Sequence, residues 1–319
     1  MQNYDFFAQK HQIVERKRGI ITFFDYFCTN MKQISILIPT YNSICVELVR
    51  SLQQQAKLLA IDYEIIVADD GSTAQDCLQA NRTIRQLPHC QFMEREQNTG
   101  RAAIRNFLAR QAQYEWLLLI DCDMVVCRKD FLMRYAENAH RAQVIDGGVV
   151  INRATPDNLR ARYEKAAEPL HTAEQRQRTP YQHLHTANLL IRRDVLLQHP
   201  FDERFRRYGY EDVLLGRQLE EAHVEVLHID NPLSFEVFES NERFVSKTEE
   251  GLRTLHQFQQ ELQGYSNLLT VAEKLRPIAP LVRLWHTINK RWERRLLTGS
   301  HPSLKIFSLY RLGYFMSLS

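Results

Sequence analysis

A chain of 319 residues with 44% hydrophobic and 25% charged content is long enough to bury a core, as one large domain with an appendage or as two small domains. Its net charge of +3 is too mild to point to nucleic acid. The charge is unevenly spread: residues 271–319 hold nine Lys or Arg against Glu273 and Glu293, a balance of +7 that leaves −4 on the other 270 residues.

Two readings stand for the first 30 residues: an ordinary N-terminal helix, or an extension before a core that begins at Met31, itself a candidate initiator. Within them "RKRGIITFFDYF" has basic flanks, but Asp25 breaks its short apolar run, which argues against a cleavable signal. "ISILIP" follows abruptly and reads as a buried strand. Leu48, Leu52, Ala56 and Leu59 stand at helical spacing. "YEIIVADD" is a strand ending in acid, and a "GS" turn leads to a polar amphipathic stretch reaching about Gln86. "NTGRAAIRNFLARQA" is a helix with Asn98 or Thr99 as its cap and Ile104, Phe107 and Leu108 on one face. "EWLLLI" is the next strand and runs into Asp121 and Asp123. Continuous apolar strands alternating with amphipathic helices predict an α/β fold whose mostly parallel sheet is covered on both faces. Further on, "VIDGGVVI" reads as a strand kinked at glycine and "HTANLLI" as another, with a polar helical stretch over 157–180 between them. A helix from about Asp212 to Ala222 leads into the strand "VEVLHI". Beyond Asn241 the pattern is helical to the end.

Ligands of open α/β sheets bind beyond the carboxyl ends of the strands. Asp69, Asp70, Asp121 and Asp123 all fall at such ends. Two acids one residue apart repel unless a positive charge lies between them, and oxygen ligands suit Mg2+ or Mn2+. The competing reading is a pair of turn or capping aspartates. No G-x-x-x-x-G-K-[ST] or G-x-G-x-x-G occurs, which excludes a P-loop and the dinucleotide fingerprint. In "RYGYEDVLLGRQL", Glu211 and Asp212 sit where a loop meets a helix start. They are either a favourable first turn or a general base facing the crevice. The six cysteines, Cys28, Cys45, Cys77, Cys90, Cys122 and Cys127, form no C-x-x-C pair and read as reduced thiols. No apolar run approaches the ~18 residues of a spanning helix. The expected location is cytoplasmic.

"ISILIPTYN", "IIVADDGST", "NTGRAAIRNFLA", "LLLIDCDMVV" and "GYEDVLLGRQL" stand in an order that resembles family 2 glycosyltransferases of the GT-A fold, over roughly Ile34 to Lys247. The run from "GYED" to "VSKTEE" is similar to a bacterial subgroup in surface-polysaccharide assembly. The resemblance implies an N-terminal extension (1–32), a GT-A glycosyltransferase domain (33–250) and a helical C-terminal region (251–319). It implies an inverting transferase that moves a sugar from a nucleotide-sugar donor, a UDP-sugar, to a hydroxyl of a glycan or lipid-linked acceptor, with Mn2+ or Mg2+ as cofactor. By residue, it places Pro39 and Tyr41 at the nucleotide pocket, Asp70 on the uracil N–H and Arg101 near the base and diphosphate. It places Asp121 on the ribose or metal, Asp123 on the metal, Asp212 as general base and Glu211 beside the acceptor. Relatives carry a metal-binding His downstream of the acidic pair. Here His228 stands near that window, and Glu236 follows the "NP" pair where relatives place the His.

Two alternatives compete. "DCDMVV" fits a haloacid dehalogenase-type phosphatase with Asp121 as nucleophile, but such a motif normally opens its domain. A catalytically silent glycosyltransferase-like binding subunit is the other, opposed by the intact acids at Asp70, Asp121, Asp123 and Asp212. In the tail, Leu281, Leu284 or Trp285, Ile288, Trp292 and Leu296 fall near one helical face, with Arg283, Lys290, Arg291, Arg294 and Arg295 around it. The expectation is a helix packing this stripe on the catalytic core; the alternative is a peripheral membrane contact.

Overall fold

The computed structural model describes residues 31–59, 61–152 and 155–318. The expectations for residues 1–30, Cys28 included, lie outside the described residues.

The elements run β1 (Gln33–Thr40), α1 (Val46–Leu59), β2 (Asp62–Asp69), α2 (Gln75–Arg82), β3 (Cys90–Glu94), α3 (Arg101–Gln111), β4 (Trp116–Ile120), β5 (Met124–Val125), α4 (Phe131–Asn138), β6 (Val144–Asp146) and β7 (Val149–Val150). They continue with α5 (Leu159–Ala167), α6 (Ala173–Arg178), β8 (Asn188–Arg192), α7 (Arg193–Gln198), α8 (Glu211–Glu221), β9 (Val226–His228) and β10 (Leu233–Phe235). Four helices follow: α9 (Asn241–Gln257), α10 (Asn267–Lys274), α11 (Ala279–Thr298) and α12 (Leu304–Met316).

The main sheet has the order β3-β2-β1-β4-β8-β6-β9. Only β8 runs against its neighbours. Successive residues of the central strands face opposite sides, and both sides are covered. Ile36, Ile38, Leu118 and Ile120 pack with Val49 and Leu52 of α1 and Phe131 and Leu132 of α4. Leu37, Leu117 and Leu119 pack with Ala102, Ile104 and Leu108 of α3 and with Leu215 and Leu219 of α8. This double covering is why the strands read as unbroken apolar runs.

Several local expectations differ from the structure. β3 escapes the sequence reading because it is a short edge strand whose burial alternates. "VIDGGVVI" is two strands. After β6 the chain turns through Gly147 and Gly148, and β7 joins a second, three-stranded sheet of order β5-β10-β7. Gly148 has φ +79°, and a Cβ there would meet the Arg176 guanidinium at 2.0 Å. Neither Asn98 nor Thr99 caps α3; the N-cap is Gly100, with φ 90°. A division at residue 250 falls inside α9. The remaining core is C-terminal: Leu214 of α8 packs with Leu252 and Leu255 of α9, Ala279 of α11 and Phe315 of α12. The apolar stripe of α11 is not part of it. Leu281, Leu284, Trp285, Ile288, Trp292 and Leu296 are exposed, and α11 instead buries Ala279, His286, Glu293 and Leu297. Packing of that stripe on the catalytic core is therefore overturned.

Asn188 ties the two sheets together. Its Nδ2 donates to the Gly148 carbonyl at 2.7 Å and the Asn231 carbonyl at 2.9 Å, and its Oδ1 accepts from the Tyr135 hydroxyl at 2.8 Å. Asn188 is fully buried, so Asn188→Ala removes three buried hydrogen bonds; the Gly148 carbonyl keeps the Leu233 amide and the Tyr135 hydroxyl keeps the residue-188 carbonyl. The expected loss is about 2–4 kcal/mol, read as a lower urea midpoint at unchanged slope.

Candidate active site

Four strand or helix ends meet in one crevice: the carboxyl ends of β1, β2 and β4, and the N-terminus of α8. The rim near β1 and β2 is cross-linked by its own polar groups. Asn42, at φ 49°, accepts through Oδ1 from the Thr73 and Ala74 amides at 2.9 Å. Its own amide donates to Ser72 Oγ at 2.7 Å, and Asp69 Oδ2 accepts from the Ser72 amide at 2.8 Å. Asn and Ser are residues that make such turns, and here they fix the loop that carries Tyr41, just beyond Pro39 at the end of β1. Tyr41 is 47% exposed and free to pack on a ligand.

Asp70 has a different task from the one expected. Its carboxylate accepts from the Thr99 amide (3.1 Å), the Gly100 amide (3.0 Å), Thr99 Oγ1 (3.0 Å) and Arg95 Nη1 (3.1 Å). A carboxylate has about four lone-pair sites, and those donors fill them. Asp70 therefore anchors the loop entering α3, and a direct bond to a base is not what the structure offers. The anchor holds the chain at Gly100, where any Cβ would meet the Arg206 carbonyl at 2.8 Å.

α3 delivers two arginines to the acids. Arg105, which the sequence reading missed, is almost fully buried. It lies 2.7 Å from Asp121 Oδ1 and 3.1 Å from Glu211 Oε1. Arg101, half exposed, lies 3.9 Å from Asp121 and 4.0 Å from Glu211, with its guanidinium 4.8 Å from the centre of the Tyr208 ring. Burial disfavours the Asp121 carboxylate, but Arg105 and Arg101 more than offset it and hold its pKa below the ordinary value. Asp123 has no such bridge. Burial, then repulsion from Asp121, raise its pKa, against a weaker pull from Arg160 and Arg101. Arg160, on α5, is a second residue the sequence reading missed; it bonds Glu239 at 2.8 Å and lies over the Phe235 ring at 4.0 Å.

The backbone before α8 is bent into the left-handed region twice, at Gly209 (φ 94°) and Tyr210 (φ 70°). A non-glycine residue there is strained. The bend starts α8 at Glu211 with no side-chain cap. Glu211 turns inward to Arg105, and its second oxygen, Oε2, is buried without a partner. Asp212 is pushed up to about 6, by burial first and by Glu211 second. Its charge also couples to His185, whose Nδ1 is 3.3 Å from the fully buried Asp146. Burial opposes the charged form of His185, but Asp146 and, further off, Asp212 raise its pKa.

Asp121 and Asp123 present oxygen donors of the kind Mg2+ and Mn2+ prefer, and the unbalanced charge of Asp123 fits such a cation. His228 does not complete the set. Its Nε2 faces the Pro180 carbonyl at 2.9 Å, and its Nδ1 faces Arg176 Nε at 3.2 Å. A nitrogen donating to a carbonyl and another accepting from a guanidinium leave no lone pair for a metal. The β10–β5 ladder ends with Phe235 opposite Met124, and Glu236 forms no metal-holding group with Asp121 and Asp123. Among the described residues no group of three or more His, Cys, Asp or Glu could by itself hold a metal ion, so such a cation would depend on water and ligand oxygens.

The sequence profile of glycosyl transferase family 2 matches residues 35–199, just over half of the chain. Chondroitin synthase of Escherichia coli is 33% identical over 104 residues, which is 28% of this chain and 13% of that protein. The poly(ribitol-phosphate) beta-N-acetylglucosaminyltransferase TarS of Staphylococcus aureus strain Mu50 is 34% identical over 96 residues, 29% of this chain and 16% of the relative. The matched segments thus span only a small part of these relatives. A mannosyltransferase of Pyrobaculum calidifontis, solved in complex with GDP-Man and Mn2+, superposes with a TM-score of 0.52 at 12% identity, covering 98% of this chain and 91% of that one. At that identity the likeness is one of fold, and the fold is GT-A. The chain is a member of glycosyl transferase family 2.

Proposed function

We propose that this protein is an inverting glycosyltransferase that moves a sugar from a nucleotide-sugar donor, a UDP-sugar, to a hydroxyl of a glycan or lipid-linked acceptor in polysaccharide biosynthesis. The observation that carries this reading is the division of the acids about Arg105. Asp121 and Asp123 lie on the β4 side and Asp212 on the α8 side, with Asp212 up at about 6. The first pair suits a diphosphate and its counter-cation; the second suits a proton acceptor poised near neutral pH. The phosphatase alternative is dropped, because Asp121 is locked to Arg105 and the chain belongs to a transferase family.

Pro39 and Tyr41 flank the nucleotide, with Tyr41 against the base. Asp70 holds the loop that sets α3 rather than touching the base. Arg101 and Arg160 face the diphosphate. Asp121 and Asp123 would hold Mn2+ or Mg2+, with water and donor oxygens completing its coordination. When bound, the ion supplies positive charge to the diphosphate leaving group. Asp212 removes the proton of the acceptor hydroxyl. The acceptor oxygen then bonds to C1 of the sugar from the face opposite the diphosphate, and the bond from C1 to the diphosphate oxygen breaks, which inverts the centre. Glu211, fixed by Arg105, shapes the acceptor side. The proposed location is cytoplasmic, peripheral at the inner face of the membrane.

The roles separate experimentally. Asp123→Ala is expected to abolish Mn2+-dependent UDP binding in calorimetric titration. Asp212→Asn is expected to bind UDP normally while transfer falls ~10²–10⁴-fold; near wild-type transfer by that variant refutes the base assignment, and wild-type protein that binds but never turns over is the silent subunit.

The working form of Asp212 is the carboxylate. Turnover, kcat/KM, is therefore expected to fall about tenfold per pH unit below about 6 and to level off above it. The limb disappears if Asp212 plays no part.

The two arginines of α3 should behave oppositely. Arg105→Met strands two buried carboxylates and is expected to cost about 3–5 kcal/mol of stability. Arg101→Ala, at a half-exposed position, should change stability by no more than about 0.5 kcal/mol while weakening UDP affinity. Equal melting temperatures for both variants contradict the bridge described here.

A further inference from the structure

Helix α11 is amphipathic in the reverse of the usual sense. On its inward face His286 Nδ1 and Glu293 Oε2 are in buried hydrogen-bond contact at 3.0 Å, with Trp285 Nε1 donating to Glu293 at 3.2 Å. On its outward face Leu281, Leu284, Trp285, Ile288, Trp292 and Leu296 form a continuous stripe, with Leu281 66% and Ile288 70% exposed. Over sixteen residues the stripe runs about 24 Å at ~1.5 Å per residue. A soluble helix buries such a stripe, and an apolar patch this long on a free surface marks a contact.

The surroundings of the stripe are cationic. Beside it lies a groove of about 740 Å3, lined by Arg291, Arg294 and Arg295 of α11 and by Ser240, Asn241 and Glu242 at the start of α9. Arg294 is taken up by Glu249. Among the described residues no carboxylate lies within ion-pair distance of Lys290, Arg291 or Arg295. No helix among the described residues is long and apolar enough to cross a membrane, so the stripe fits a surface rather than a span.

We propose that α11 lies in the plane of an anionic phospholipid bilayer, its stripe in the boundary between headgroups and acyl chains and Arg291 and Arg295 on the phosphates. Trp at the boundary and cations at its edge are the composition that such helices use. Other occupants fit less well. A second copy docked through α11 offers Arg291 and Arg295 no counter-charge, because the one acid of that helix, Glu293, is buried against His286. Residues 1–30 carry four Lys or Arg against three acids and offer no complementary charge. The inference names the surface behind the location proposed above, but it rests on α11 alone and stands apart from the transferase reading.

The test uses the full chain and vesicles of equal parts phosphatidylglycerol and phosphatidylcholine at low salt. The protein is expected to sediment with them, and its tryptophan emission to shift to the blue as Trp285 and Trp292 leave water. Binding should fall with salt and on pure phosphatidylcholine vesicles. Ile288→Ser combined with Trp292→Ser, both at exposed positions, should keep the melting curve and donor hydrolysis while lowering vesicle binding about tenfold or more. Arg291→Gln with Arg295→Gln should lower it roughly 25-fold. Full-length protein that ignores anionic vesicles at low salt overturns the proposal, as do variants that bind like the parent. A dimer dissolved by Ile288→Asp, with no vesicle binding, assigns the face to a second copy and also overturns it. Vesicle binding without any donor turnover upholds the membrane face and defeats the transferase reading; turnover without binding does the reverse.

Discussion

The site depends on one buried cation. Arg105 sits between the end of β4 and the start of α8, within 2.7 Å of Asp121 and 3.1 Å of Glu211. Its side chain is 2% exposed and that of Glu211 4%, so these charges have given up nearly all their water. Such burial is tolerable only while every partner is present. The bridge also determines how charge is shared. Asp121 is kept ionised by the arginines, whereas Asp123 and Asp212 have no bonded cation and are pushed up. One arginine thus leaves one acid neutralised and two acids without a bonded cation, an imbalance of the kind found at functional sites.

Around this centre the backbone is held in conformations that would not persist alone. Asn42 and Tyr210 both have positive φ, and each is over-determined by its neighbours. Asn42 is bonded to three groups of the 72–74 turn. Tyr210 follows Gly209 and leads directly into α8, whose Leu214, Leu215 and Leu219 are buried. Strain held at a crevice rim by packing elsewhere is a recurring property of pre-organised sites. Asp70 serves the same end from below: its four bonds fix the entry to α3 and hence the origin of both arginines.

The central strands were legible because both of their faces are buried, which writes an unbroken apolar run into the sequence. β3 was not, because an edge strand needs only Cys90 and Phe92 inside. The acids at strand ends were legible for a similar reason: an Asp stands out after four aliphatic residues. Arg105 was hidden. In a helix of sequence "RAAIRNFLARQ" a lone Arg reads as a solvated position, and its partner Glu211 is 106 residues away. His228 misled in the opposite direction. Its residue type allows metal binding, but only the fold reveals that Arg176 and Pro180 occupy both nitrogens. The stripe on α11 shows a further limit: periodicity identifies an apolar face but is silent about what covers it.

The catalytic end and the cationic tail are joined through one core. Leu214, two residues after Asp212, packs in the cluster that holds Ala279 of α11 and Phe315 of α12. Arg311 of α12 donates to the Tyr163 hydroxyl of α5 at 3.1 Å, and α5 also carries Arg160 toward the acids. The start of α8 and the outer face of α11 are therefore set at a fixed relation by packing, without a linker between them. The charge distribution acts along the same line. Asp121 and Glu211 are tied to arginines of α3, while the excess of +7 over residues 271–319 remains on the tail. The tail is ordered as helices around its own buried His286–Glu293 pair, which fixes where its cations stand relative to the acids at the start of α8.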